Sequence, residues 1–320
     1  MKTTLILVIA TIIGVNSFAQ EKRTILFYNV ENLFDTINDP TKNDEEFLPE
    51  GKNNWNSPKY KEKLTHINQV INEVNNPLII GMCEVENATV IRDVINHSKT
   101  MKGKYGVAHY NSPDERGIDV GMIYDSITLK MVDSGFLRYS LPDTAYSKTR
   151  DILWVKFKKG KTTFYAMVNH WPSRRSGEKE SEVNRVIAAT AAKTFIDSIL
   201  AKDKNAKIVF MGDLNDHPQD KAPQMVYSVL TQMIFKNSGE FGGTHNFKSE
   251  WDVLDHIAVS PGFLTAKKGL KVVKDSGKIL SPTFLITEYK GEKVPFRTYA
   301  KNYLGGYSDH LPVRIEVSFK

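Results

Sequence analysis

The chain has 320 residues, enough for one large domain or two ordinary ones. Its 41% hydrophobic and 25% charged residues exclude a disordered or fibrous chain. The formal charge of +6 is mild and spread along the chain, so composition permits an anionic substrate without demanding one.

The first twenty residues read as a targeting segment. Lys2 gives a positive start, and Leu5 to Val15 is an apolar run too short to span a bilayer. Ser17-Phe18-Ala19 puts small residues at the two positions a signal peptidase reads. Residues 1–19 are therefore expected to be removed, with the mature protein in the periplasm or outside the cell. Residues 20–320 are expected to form a single catalytic domain, monomeric and without stable membrane insertion. Cys83 is the only cysteine, so no internal disulfide can form, and its place beside an apolar run suits packing.

The first strand candidate, Thr24 to Tyr28, ends in the polar cluster Asn29-Val30-Glu31-Asn32. Residues 36–58 are polar, with three prolines and a glycine, and read as a surface loop. From Lys59 to Val74, apolar residues at 64, 67, 70, 71 and 74 mark one face of a helix. Leu78 to Met82 is a buried strand that delivers Glu84 at its end. Ala88 to Ile95 reads as a helix, and Val107–Tyr110 and Asp119–Tyr124 as strands. Ile152 to Phe157 and Thr163 to Val168 flank a Gly-containing loop and form a hairpin. The second of these ends in Asn169-His170-Trp171-Pro172-Ser173-Arg174-Arg175.

Ser181 to Leu200 is a long helix, with Val183, Val186, Ile187, Ala191, Phe195 and Ile199 as its stripe. Ile208-Val209-Phe210 is a buried strand running into Met211-Gly212-Asp213-Leu214-Asn215. Gly212 is expected to take a backbone angle closed to other residues, turning the chain at the strand end. Strand geometry carried through Asp213 and Asn215 would point both side chains to one face. Pro223 to Phe235 suits a helix, and Trp251 to Val259 a strand that carries Asp255 and His256 on opposite faces. His256 is expected to be structural. Thr283–Ile286 and Val313–Phe319 are further strands, with Ser308-Asp309-His310 between them.

Polar clusters thus follow apolar strands in six places: Asn29, Glu84, His170, Asp213 with Asn215, Asp255, and Asp309 with His310. Each alone has a bland explanation as a cap, a turn or a satisfied core histidine. Six together point to one site at a shared sheet edge. Phosphodiester hydrolysis needs an activated water, charge relief at the non-bridging oxygens and help for the leaving oxygen. Carboxylates suit magnesium, and histidines paired with carboxylates supply base and acid. No cysteine pair or His-Glu-x-x-His helix suggests zinc.

The order Asn, Glu, His, Gly-Asp-x-Asn, Asp, Ser-Asp-His resembles the endonuclease/exonuclease/phosphatase superfamily, from Phe27 to the C-terminus. Gly212-Asp213-Leu214-Asn215 and Ser308-Asp309-His310 are the most specific signatures. The segments Phe27–Asp35 and Asn169–Arg174 look like the secreted bacterial branch, akin to pancreatic-type deoxyribonuclease. The resemblance implies an α/β fold, a four-layer α/β/β/α sandwich of two packed, mainly antiparallel sheets.

It further implies that Glu84, Asn29 and Asp309 hold Mg2+, with Mn2+ or Ca2+ as substitutes. His310 would be the general base, oriented by Asp255. Asp213 and Asn215 would position water and phosphate, and His170 would be the acid or a phosphate-stabilising group. Asp119 is the candidate partner of His170; Arg116 and Arg174 are candidate phosphate contacts. The activity implied is that of a magnesium-dependent phosphodiesterase, with nucleic acid as substrate. The alternatives are a phosphatase or sphingomyelinase-like enzyme on phosphorylated lipid or inositol, and a catalytically silent binding protein.

Overall fold

The computed structural model describes residues 21–74, 77–142, 148–175 and 177–319. The signal-peptide expectation falls on residues 1–19 and lies outside them. The strands are β1 (Lys22–Leu33), β2 (Pro77–Val85), β3 (Tyr105–His109), β4 (Asp119–Asp125), β5 (Lys130–Leu137), β6 (Ile152–Lys159), β7 (Thr162–His170) and β8 (Ile208–Asp213). They continue as β9 (Thr231–Gln232), β10 (His245–Phe247), β11 (Glu250–Asp252), β12 (Asp255–Val259), β13 (Leu270–Val272), β14 (Lys278–Ile279), β15 (Ile286–Tyr289), β16 (Glu292–Pro295) and β17 (Val313–Phe319). The helices are α1 (Ser57–Asn72), α2 (Ala88–His97), α3 (Glu182–Lys202), α4 (Lys221–Tyr227) and α5 (Pro261–Leu264).

Two sheets carry the molecule. One has the order β13-β17-β1-β2-β4-β3, with β14 also on β17; the other is β5-β6-β7-β8-β12-β9. In each large sheet one central pair is parallel, β1 with β2 and β7 with β8, and the remaining pairs are antiparallel. Side-chain alternation explains the layering. Phe164, Ala166 and Val168 of β7 and Val209 and Met211 of β8 join the core that also holds Ile25, Phe27 and Ile79 of the facing sheet. Met167, Ile208 and Phe210 point the other way and pack with Ala188, Ala192 and Ile196 of α3. Helices α1 and α2 cover the far side of the first sheet through Leu64, Ile67, Val90 and Val94. The result is the α/β/β/α sandwich.

Several local expectations change. The buried face of α3 is Arg185, Ala188, Ala189, Ala192, Ile196 and Ile199, while Val183 is exposed. Arg185 is buried because its Nε lies 2.6 Å from the Asp216 carboxylate, a partner no apolar stripe can reveal. Helix α4 ends at Tyr227, and the chain then enters β9. The stretch 251–259 is two strands, broken at Val253-Leu254. Thr283–Leu285 is a 3-10 turn ahead of β15. The polar loop after β1 folds on an aromatic cluster of Phe34, Phe47 and Trp55, with Phe34 and Phe47 stacked at 4.1 Å.

Candidate active site

The four central strands β1, β2, β7 and β8 end together, and the side chains at their ends converge. Glu84 sits on a bulge of β2: the ladder to β4 slips between Cys83 and Val85, and Glu84 takes φ +59°. This conformation is disfavoured for a non-glycine residue, and the bulge aims the carboxylate out of the strand. Its Oε2 accepts the Asn32 backbone N–H at 3.1 Å, and its Oε1 accepts Asn29 Nδ2 at 3.3 Å. Asn29 also donates to Asp213 Oδ2 at 3.1 Å. One amide therefore bridges two carboxylates from different sheets.

Asp213 ends β8, between His170 on β7 and Asp255 on β12 in the strand register. Strand geometry stops there. Asn215 has φ +51°, its backbone N–H donates to Asp213 Oδ1 at 2.9 Å, and its side chain donates to Trp171 O at 3.1 Å. The expected same-face pair is instead an Asx turn. Gly212 has no positive φ. A Cβ there would lie 2.4 Å from Asn169 O, so close approach of β7 and β8 is what requires glycine.

His310 Nδ1 lies 2.7 Å from Asp255 Oδ2, and its Nε2 faces Asp213 Oδ2 at 3.8 Å. Two residues that sequence reasoning passed over hold this pair. Thr244 Oγ1 accepts the backbone N–H groups of Leu254 and Asp255, each at 3.1 Å. Ser308 Oγ donates to Asn29 O at 2.7 Å and accepts His310 N–H at 3.0 Å, tying the loop to β1. Ser308 stood inside a quoted motif; Thr244 gave no signal beyond a loop.

His170 Nε2 lies 3.7 Å from Asp213 Oδ2 and 3.9 Å from Glu84 Oε1. Asp119 is not its partner: that carboxylate binds His109 Nε2 at 3.0 Å and the Ser112 N–H. Asp119 is at the start of β4, directly across the β3–β4 turn, so its reach is local. His170 Nδ1 is buried without a hydrogen-bond partner among the described residues.

The expected ligand trio is only partly assembled. Glu84 and Asn29 touch, but Asp309 is held by Arg297 at 2.9 Å and stands with His245 and His310. Arg174 is also engaged, 3.5 Å from Asp252 and 3.3 Å from His217. Arg116 lies 3.8 Å from Asp114, on the His170 side of the site. His256 is structural: its ring nitrogens meet Tyr227 Oη and Asp216 O.

The electrostatics follow from burial and neighbours. Burial pushes the Asp213 carboxyl up to about 7, opposed by His310 and reinforced by Asp255 and Glu84. Burial also lowers His310, but Asp255 and Asp213 outweigh it and hold its imidazole well above the ordinary histidine value. Burial, then Arg150, Arg116 and His310, hold His170 well below that value, so its ring is neutral at pH 7.

Buried carboxylates this close need positive charge. Glu84 and Asp213 offer hard oxygen donors from two sheets, and Asp213, Asp255 and His310 place ligand atoms within 4.8 Å of one another. That donor set fits a hard divalent cation.

Residues 24–319 match the Endonuclease/Exonuclease/phosphatase family. The chain belongs to that family. Its members are hydrolases of phosphoester bonds and generally depend on a divalent metal. Among solved structures, the chain is similar to a mannosyl-6-phosphatase from Bacteroides thetaiotaomicron at 18% identity and TM-score 0.60, covering 93% of this chain and 100% of that one. It is similar to the human Nocturnin catalytic domain with bound sulfate at 14% identity and TM-score 0.54, covering 93% and 95%. It is also similar to TDP2 from C. elegans at 13% identity and TM-score 0.58, covering 93% and 75%. At these identities the likeness is one of fold. The comparison with curated protein sequences gave no match. Among the described residues, no helix is long and apolar enough to cross a membrane.

Proposed function

We propose that this family hydrolase is an exported, monomeric phosphodiesterase that uses magnesium and cleaves nucleic acid. The observation that carries the chemistry is the Asp255–His310 hydrogen bond of 2.7 Å, with the free Nε2 turned toward Asp213. Asp255 orients the ring and stabilises its imidazolium. In the metal-free site Asp255 and Asp213 hold that ring protonated; with Asp213 engaged by a cation, Nε2 would lose part of that hold and take a proton from water. Glu84 and Asp213, bridged by Asn29, would hold the cation, with Asp309 at the rim. Bound there, a divalent ion supplies charge relief to the phosphate and its leaving oxygen. Asn215, fixed by Asp213 and Trp171, positions the phosphate or water.

Of the two roles expected for His170, acid or phosphate-stabilising group, we take the second, supported by its lowered basicity. A general acid must start protonated, and a neutral buried imidazole cannot. His170 serves as a hydrogen-bond donor to a non-bridging oxygen, with Arg116 behind it. Nucleic acid as substrate rests on Arg116, Arg174 and Arg175 around the site and on the net charge of +6. Export rests on residues 1–19.

The test is DNA and RNA degradation with magnesium, with chelator, and with metal restored, beside a phosphomonoester control. Degradation that chelator stops and magnesium restores is expected. Turnover of the monoester alone would replace the phosphodiesterase reading with a phosphatase.

A further inference from the structure

Beside the His170 end of the site lies a cavity of about 190 Å3 whose wall is unusually basic. Arg116, Lys148, Arg150 and Arg175 line it, against only Asp114 and Glu115. The acids do not neutralise the cations. Asp114 is shared, 3.3 Å from Arg150 and 3.8 Å from Arg116, and Glu115 lies 3.5 Å from Lys148. Arg175 is exposed and forms no ion pair among the described residues. Burial, then Arg150, hold the Arg116 guanidinium below its ordinary value against the opposing pull of Asp114 and Glu84, with Arg175 adding to the shift; four cations on the wall still face two acids.

The wall is built rather than incidental. Only 7% of the Arg150 side chain is exposed, and one of its amino groups donates to Trp171 O at 2.7 Å. That bond fixes Arg150 against the residue that follows His170. Its Nε is nevertheless buried with no hydrogen-bond partner among the described residues. Buried donors left unpaired in a native fold call for an acceptor the protein does not supply. The cavity is too far from neutral for an apolar group, and its size suits a hydrated phosphate.

We propose that this cavity is a second anion subsite, which takes a phosphoryl group that the substrate carries beside the ester facing His310 and Asp213. The favoured substrate therefore bears at least two phosphorus centres. The second is either the next internucleotide phosphate of a strand or a terminal phosphate monoester. Only the substrate half of the proposal rests on the phosphodiesterase reading; anion binding does not.

Two measurements test it. The first is calorimetric titration of the full-length protein with inorganic phosphate in chelator. The metal-stripped acidic centre repels phosphate under those conditions, so the titration reports on the basic cavity. Saturable binding to one site is expected, weakened by about tenfold or more in the double variant Arg175→Ala/Lys148→Ala. Both residues are exposed, so the variant folds; a matched melting curve checks that. No saturable binding, or binding unchanged in the variant, overturns the subsite whatever the enzyme hydrolyses.

The second measurement compares kcat/KM with magnesium for TpT, pTpT and TpTpT. At least one of the longer pair is expected to exceed TpT by about tenfold, with the ratio collapsing toward unity in the double variant. A gain for TpTpT alone identifies the internucleotide phosphate, and a gain for pTpT alone the terminal one. Equal values for all three overturn the claim about the substrate. If none is cleaved, the phosphodiesterase reading fails while the phosphate titration still decides the subsite.

Discussion

The pairing of a titrating ring with one buried carboxylate decides what each histidine can do. Asp255 is fully buried, its backbone N–H and that of Leu254 donate to Thr244 Oγ1, and its Oδ2 meets His310 Nδ1. Asp255→Asn keeps the volume but removes the charge that makes His310 a competent base. Turnover should fall by about a hundredfold or more, by analogy with the Ser-His-Asp triad, with little change in melting temperature. A variant retaining most of its turnover would exclude His310 as base. His170 differs because it has no carboxylate at hydrogen-bond distance and faces Arg150 and Arg116. His170→Ala should therefore slow a nitrophenyl phosphodiester and a natural dinucleotide by the same factor. A leaving group stable as an anion gains nothing from a general acid, so a much smaller loss on the nitrophenyl ester would restore the acid role.

At the scale of elements, legibility tracked the reach of each signal. Apolar runs marked β1, β2, β7, β8 and β17, and polar residues at their ends identified which strand mouths to inspect. The pairing of Asp119 was not legible. Its two acceptors go to His109 and Ser112, ten and seven residues away, through a turn whose path no periodicity encodes. Arg185 defeated the α3 stripe for the same reason, since its burial depends on Asp216 across a helix–loop contact. Gly212 shows a subtler limit. Glycine was visible, but its cause is the approach of β7 and β8, and only the register discloses that. Gly212→Ala must push a methyl group against the Asn169 carbonyl. A cost of about 1–3 kcal/mol is expected, because the obstacle is backbone and cannot rotate away. Thermal unfolding measures it, and an unchanged melting temperature would mean that the two strands separate freely.

At the scale of the whole molecule, two sheets meet with a cluster of acids at the end of their shared core. Glu84 comes from one sheet, and Asp213 and Asp255 from the other; Asn29 bridges Glu84 to Asp213. Like charges at the sheet ends repel, and the interface between the sheets carries that cost in the metal-free state. Burial already pushes the Asp213 carboxyl up to about 7, the sign of a site short of positive charge. A divalent cation that binds only the folded arrangement must therefore stabilise both sheets together, by mass action. At a hundred times its dissociation constant it contributes about 2.7 kcal/mol. For a domain of this size that raises the melting temperature by several degrees, at about 2–4 °C per kcal/mol. Chelated protein should melt early, recover with magnesium, and recover in proportion to the logarithm of its concentration. Glu84→Gln keeps the bulge and the volume but removes one charge. It should melt no earlier than wild type in chelator, because it relieves repulsion, and should gain little from magnesium. This pairing separates a ligand from a merely structural acid. If Glu84→Gln were destabilised in chelator and still gained the full shift with magnesium, the cation would bind elsewhere, and Glu84 would serve only to hold Asn29 and the β2 bulge.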